Sequence, residues 1–238
     1  MKKSNLRNYY NKIDIVGDIE QSGFLGKLRK MLLVFEEERK ETAIRNFIKT
    51  DKYLDIGCGG GGLLISLNKR YKFGYGVDLS PKVLSAAKRN IKEQKIRNVV
   101  IKKADIEDGL PFKNMTFDAV TFLAVLEHLF DPIAALRETY RVMKKGGILY
   151  LEVPNVAWLP RRISLLLGKR PRTSFASGWE GSHLQYFTYS ELENLLKTVG
   201  YKIVKRDCSG VFNQLRKIYP PLLSGNIFII CKRWSPEK

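Results

Sequence analysis

From residue 52 to residue 153 short apolar runs alternate with amphipathic stretches, an order that few architectures accept. Runs at 52–56, 73–77, 98–102, 117–124 and 148–153 have strand length and strand-type residues. Between them, stretches at 63–69, 81–94 and 132–143 carry apolar residues at helical spacing. Strands that take turns with helices pair in parallel, because each crossover returns the chain to the same end of the sheet. Ser80-Pro81 opens the second of these helices with a side-chain cap and a residue that lacks the N–H left unpaired there. Further on, Thr188-Tyr-Ser-Glu191 is a capping box for a helix through Thr198, and two more strands are predicted at 201–206 and 226–232. The expected fold is α/β and doubly wound, a seven-stranded, mostly parallel sheet with helices on both faces over residues 51–238. An arm and lead-in helices over 1–50 precede it, the helices marked by Leu25, Leu28, Leu32, Phe35, Ile44, Phe47 and Ile48.

Ligands of such sheets bind beyond the carboxyl ends of the strands. The first of those ends runs into Gly57-Cys58-Gly59-Gly60-Gly61-Gly62, where missing side chains let backbone approach a ligand closely. Gly57, Gly59 and Gly62 satisfy the GxGxxG spacing, and Asp78, ending the second strand, is placed to accept hydrogen bonds from ribose hydroxyls. Both features point to an adenosine-type ligand and leave a nicotinamide-dependent oxidoreductase open.

Five segments in order narrow the choice: LDIGCGGG, YGVDLSP, KKADIEDGLPF, FDAVTFLAVLEHLFDP and RVMKKGGILYLEVPN. With the later HLQYFTYSELENLLKTVGYKI, they resemble the class I S-adenosylmethionine-dependent methyltransferases, whose fold is Rossmann-like, and within them the small-molecule group that includes quinone-biosynthesis methyltransferases. The resemblance covers residues 52 to about 206. It implies S-adenosyl-L-methionine as cofactor, with Asp55, Gly57 and Gly59 around its methionine end. Asp78 would hold the ribose and Leu79 would lie against the adenine. Asp105 would accept from the adenine amino group beside the backbone of Ile106, and Leu123 and Ala124 would line the pocket.

A hydroxyl or ammonium acceptor needs a base, and His128, after Glu127 at the end of the fourth strand, has an intrinsic pKa near neutrality. Residues 158–187 are expected to form a lid on the acceptor side, an apolar helix edged by cations. Its acceptor contacts would come from Arg161, Arg162, His183, Tyr186 and Phe187. The fourth strand lacks the Asn/Asp-Pro-Pro-aromatic signature of amino methylation on bases, and no Pro-Cys pair offers the nucleophile of cytosine C5 methylation. A small hydroxylated, sugar-type or lipid-linked acceptor is therefore favoured over an RNA or protein acceptor.

Composition bears on partners and setting. The net charge of +18 divides as +4, +5, +4 and +5 over residues 1–50, 51–157, 158–182 and 183–238, so it is spread along the chain. Spread charge gives weak, non-specific attraction to polyanions, and nucleic acid is not the favoured partner. The basic, apolar 158–168 stretch suits contact with a membrane surface. No run is long enough to span a membrane, and the start lacks the apolar core of a secretory signal. Cys58, Cys208 and Cys231 have no metal-ligand spacing; a reducing cytoplasmic setting and no metal are expected.

Overall fold

The computed structural model describes residues 38–171, 173, 183–209 and 218–234. A helix over residues 38–46 (α1) leads into the first strand. The elements then run β1 (Thr50–Ile56), α2 (Gly62–Ser66), β2 (Tyr71–Asp78), α3 (Pro81–Glu93), β3 (Val99–Lys103), β4 (Phe117–Leu123) and α4 (Pro132–Val142). After them come β5 (Met143–Pro154), α5 (Leu159–Leu166), α6 (Tyr189–Val199), β6 (Tyr201–Ser209), α7 (Pro220–Leu223) and β7 (Asn226–Arg233). The strands form one sheet in the order β3-β2-β1-β4-β5-β7-β6. The first five are parallel, and β7 enters antiparallel to both β5 and β6. The order reverses between β1 and β4, which opens a crevice at their carboxyl ends.

Side chains alternate across the sheet, so neighbours on one strand feed opposite cores. Tyr53 on β1 is buried with Leu64, Tyr71, Tyr150 and Phe228 on one face. Leu54 beside it is buried with Phe122, Leu136, Leu149 and Leu196 on the other. Each such side chain contributes about 1.5–3 kcal/mol by leaving water. α1 belongs to the first face: Ala43 and Phe47 are buried there, and the Phe47 ring stacks on Tyr150 at 5.3 Å. Asn46 Nδ2 and Arg45 Nη2 donate to Asp207, which fixes this lead-in helix to the far strand β6.

The expected caps are present. Ser80 Oγ accepts from Val83 N, and Thr188 and Glu191 exchange both bonds of the capping box. Two boundaries differ from expectation. The first helix stops at Ser66 and a 3-10 turn at Asn68–Arg70 leads into a longer β2. Lys144–Gly147, which lies between the stretches expected as helix 132–143 and strand 148–153, is a bulge inside β5: Phe117 pairs with Met143 and Ala119 with Ile148. Gly146 makes it feasible with φ +74°, and a Cβ on Gly147 would stand 2.9 Å from the Lys144 carbonyl. α7 had no counterpart in the sequence reading. Residues 1–37 of the expected arm and lead-in region lie outside the described residues, as do Arg172 and 174–182 of the expected lid. Among the described residues, no helix is long and apolar enough to cross a membrane.

Candidate cofactor and acceptor site

The glycine turn leaves β1 with Gly57 at φ +71° and Gly59 at φ +52°, a region that favours glycine. The two have different surroundings. A Cβ on Gly57 would lie 2.2 Å from Val125 Cγ2, because the end of β4 packs onto the turn; a Cβ on Gly59 would meet nothing within 4 Å. Beside that open space stands Asp78. Its Oδ2 accepts from Gly59 N at 3.1 Å and its Oδ1 from Ser80 N at 2.9 Å, so strand end and turn are held as one unit. Ala104 N donates to the Asp78 carbonyl at 3.1 Å, bringing the β3 end alongside. There Asp105 caps a 3-10 turn, accepting from Glu107 N at 3.0 Å, and Ile106 is buried in the core.

Asp55 is buried next to Cys58 and Gly57. Thr121 Oγ1 donates to Asp55 Oδ1 at 2.6 Å, so the Tyr53 hydroxyl, also 2.6 Å from Thr121 Oγ1, must be the donor in that second bond. Burial pushes the Asp55 carboxyl up to about 7; the Thr121 bond and the Lys40 charge pull it down, and Asp78 pushes it further up. Lys40 reaches the site from α1, and its Nζ would lie 3.5 Å from a Cβ placed on Gly62. Burial also raises Asp78, against the pull of the Ser80, Gly59 and Leu79 N–H groups. At the end of β4, Leu123 and Ala124 are half-buried, and Ala124 holds φ +53°, fixed by its N–H to the Glu152 carbonyl at 3.0 Å. Asp55, Gly57, Gly59, Asp78 and Leu79 are thus brought together at the crevice. Asp105, Ile106, Leu123 and Ala124 end the strands on either side of them.

Cations, hydroxyl donors and ribose would find acceptors here at three neighbouring strand ends, and Gly59 leaves open space beside them. Those features fit the nucleoside and amino-acid parts of an adenosine-type cofactor.

A second cluster lies beyond β4 and β5. Leu126–His128 is a 3-10 turn in which Glu127 is buried, and the Glu127 carbonyl accepts from Leu184 N and Gln185 N. This ties the 183–187 segment to the β4 end. The His128 and His183 rings meet edge to face at 4.7 Å, and one polar atom each of Glu127, His128 and His183 lies within 4.8 Å of the others. His183 Nδ1 is 2.8 Å from Thr173 Oγ1. Burial, with the charges of His128, Arg161 and Arg39, lowers the His183 pKa to about 3 and keeps this ring neutral. Arg39, from α1, donates through Nε to Glu152 Oε1 at 3.0 Å, and Ser209 Oγ donates to Oε2 at 3.1 Å. Burial still raises Glu152 to about 7, since the single Arg39 bond does not offset complete loss of water.

The expected lid residues separate. Arg161 is 5% exposed, and its Nη1 donates to the carbonyls of Asn155 and Gly225, so it fastens α5 to the loop before β7. Arg162 donates to the Ala157 carbonyl from the surface. Phe187 is buried in the main core, where it bridges Asn155. Tyr186 is exposed, and only His183 joins the cluster. α5 itself turns apolar residues outward: Leu159, Ile163, Leu165, Leu166 and Leu167 are exposed, Leu166 by 86%. Arg39, Lys40, Thr121, Glu127 and Glu152 were not foreseen as site residues. Glu127 was signalled by its place beside His128; Arg39 and Lys40 had no local signal, since they reach the site by tertiary packing of α1.

Residues 54–151 match the family described as "Methyltransferase domain". An uncharacterized methyltransferase of Schizosaccharomyces pombe is 40% identical over 107 residues, which cover 42% of this chain and 38% of that protein. A ubiquinone biosynthesis O-methyltransferase of Xanthomonas oryzae is 35% identical over 104 residues, covering 44% and 43% of the two chains. The chain therefore spans about two fifths of the length of these curated relatives. Among solved structures, a putative methyltransferase from Bacillus halodurans superposes with a TM-score of 0.65 at 18% identity, over 84% of this chain and 100% of that one.

Proposed function

We propose that this chain, whose residues 54–151 match a methyltransferase domain, acts as a class I S-adenosylmethionine-dependent methyltransferase that moves the cofactor's methyl onto a small hydroxylated, sugar-type or lipid-linked acceptor. The observation that carries the reading is the cradle at Gly59: open space beside a left-handed glycine, with the Asp78 carboxylate held against its N–H. S-adenosylmethionine supplies the reactive methyl, carried on a sulfonium. Asp78 would hold the ribose hydroxyls, Leu79 would lie against the adenine, and Asp105 would accept from its amino group beside the Ile106 backbone. Asp55, Gly57 and Gly59 would surround the methionine end, with Leu123 and Ala124 lining the β4 side. Lys40 supplies a cation from α1, a partner for the methionine carboxylate.

Displacement at carbon needs the acceptor oxygen in line with the breaking bond, and such positioning is worth about 7–11 kcal/mol. The acceptor enters beyond β4 and β5, where the Leu126–His128 turn and the 183–187 segment meet. His128 handles its proton, and His183 forms the wall behind. The outward apolar residues of α5, with Arg162, Lys169 and Arg170 beside them, favour an acceptor drawn from a membrane surface.

Thermal melts test the cofactor. S-adenosylmethionine and S-adenosylhomocysteine should each raise the melting temperature, by about 2.7 kcal/mol of stability at a hundredfold excess over Kd, and NAD should not. Stabilisation by NAD alone would replace this reading with a nicotinamide enzyme.

A further inference from the structure

Among the described residues, three buried side-chain polar atoms have no hydrogen-bond partner: Asn68 Oδ1, Glu127 Oε2 and Arg233 Nε. Asn68 precedes β2, and Arg233 ends β7 where that antiparallel strand meets the start of β5. Both therefore lie at the end of the sheet remote from the crevice. Glu127 Oε2 alone stands at the carboxyl ends, in the acceptor region. A buried carboxyl oxygen left unpaired bears the full cost of losing water, so the position calls for a donor that arrives from outside the chain. An acceptor hydroxyl is such a donor.

The other oxygen has a different neighbour. Glu127 Oε1 is 3.9 Å from His128 Nε2, and the His128 side chain is 19% exposed against 2% for Glu127. One carboxyl thus has an unpartnered oxygen inside and, on its other side, an imidazole with access to water. We propose that Glu127 takes the proton of the acceptor hydroxyl on Oε2, and that a turn of the protonated carboxyl group then presents this proton to His128, which releases it to solvent. This rests on the hydroxylated-acceptor reading above and deepens it, moving the first proton transfer from His128 to its neighbour.

In the step, the acceptor oxygen forms its bond to the methyl carbon as the carbon–sulfur bond breaks. That bond's electron pair stays on sulfur, leaving a neutral thioether, and the O–H proton goes to Glu127. The groups facing Glu127 suit the task. Arg39 reaches towards it from α1, Glu152 faces it from β5, and His128 and His183 flank it. Burial raises the carboxyl to about 7, with its own backbone N–H and Arg39 drawing it down. A base with that affinity accepts a proton and gives it up again near neutral pH. His183, neutral and held by Thr173, positions the His128 ring and takes up no further proton near neutral pH.

The test uses the full chain, labelled S-adenosylmethionine and a panel of catechol, phenol, 1-octanol and methyl glucoside. Wild-type transfer should rise with pH through about 7, the value to which Glu127 is raised. Glu127→Gln should lower kcat about 10²–10⁴-fold with unchanged cofactor Kd, while Glu127→Asp, which keeps a carboxylate, retains more activity. His128→Ala should lose less and be rescued by imidazole, which should not rescue Glu127→Gln. Near-wild-type transfer by a folded Glu127→Gln protein overturns the assignment. So does transfer that chelation abolishes and a divalent cation restores, since the carboxylate then serves a cation. A protein that binds cofactor yet methylates no member of the panel overturns the hydroxyl-acceptor reading beneath it.

Discussion

Two glycines of one turn carry opposite demands. Gly57 is closed in by Val125, so Gly57→Ala must displace the β4 end as well as strain a φ of +71°. It should destabilise the protein by several kcal/mol, since backbone strain and overpacking each cost about 1–3. Gly59→Ala carries the backbone strain alone, about 1–2 kcal/mol, but its methyl occupies the open cradle. Melts with and without S-adenosylmethionine separate the two: Gly59→Ala should stay folded and lose most of the cofactor shift. Equal shifts in Gly59→Ala and wild type would place the cofactor elsewhere. The glycine turn and Asp78 were legible because turn chemistry is local. Asp55's hydroxyl chain through Thr121 to Tyr53 was not, because it joins two strands that are adjacent only in the folded sheet.

The helix α5 shows what an element's own pattern conceals. Its sequence reads as an apolar side edged with cations, and the simplest packing would bury the apolar side. The structure buries Arg161 instead, because carbonyls of Asn155 and Gly225 offer it two bonds, and those carbonyls are separated by 70 residues. Burying the arginine turns the leucines out. If they contact a bilayer, the protein should bind vesicles of anionic phospholipid more tightly than neutral ones, and Leu166→Glu with Leu167→Glu should weaken binding at least tenfold while leaving the melting temperature intact. Equal binding by the double variant would reduce α5 to an exposed ornament. Strand and helix positions came through well from period and caps alone, whereas the β5 bulge did not, since Lys-Lys-Gly-Gly is an equally good helix stop.

At the scale of the whole molecule, buried acids set the response to pH. Asp55, Glu127 and Glu152 are each raised to about 7 by burial, from 3.8 for the aspartate and 4.5 for the glutamates. The folded protein therefore holds protons that the unfolded chain has already released, and stability falls as pH climbs from about 4 to about 7. Each group contributes up to about 1.4 kcal/mol per unit of difference. Asp51, Glu138, Glu193 and Asp207 are shifted the other way and lose their contribution at lower pH. Melting temperature should then peak near pH 5 and decline towards pH 8, and Glu127→Gln should be more stable than wild type at pH 8 with little difference at pH 5. A profile that rises steadily to pH 8 in the wild type would show that these carboxyls are ionised in the fold. The seven strands and the mostly parallel sheet were legible because period and alternation repeat along the chain. The strand that runs against the others was not, since strand direction depends on pairings the sequence does not print.

The sheet order also dictates a timetable. β7 follows every other strand in the chain, yet it lies between β5 and β6, inside the sheet. As a ribosome extends the chain, β1 to β5 can assemble in sequence, while β6 emerges with no neighbour to pair with. For the time needed to synthesise residues 210–226, β6 and the open side of β5 both present unsatisfied backbone, a template for other nascent strands. The arrival of β7 seals both at once, so a single late strand closes the sheet on two sides.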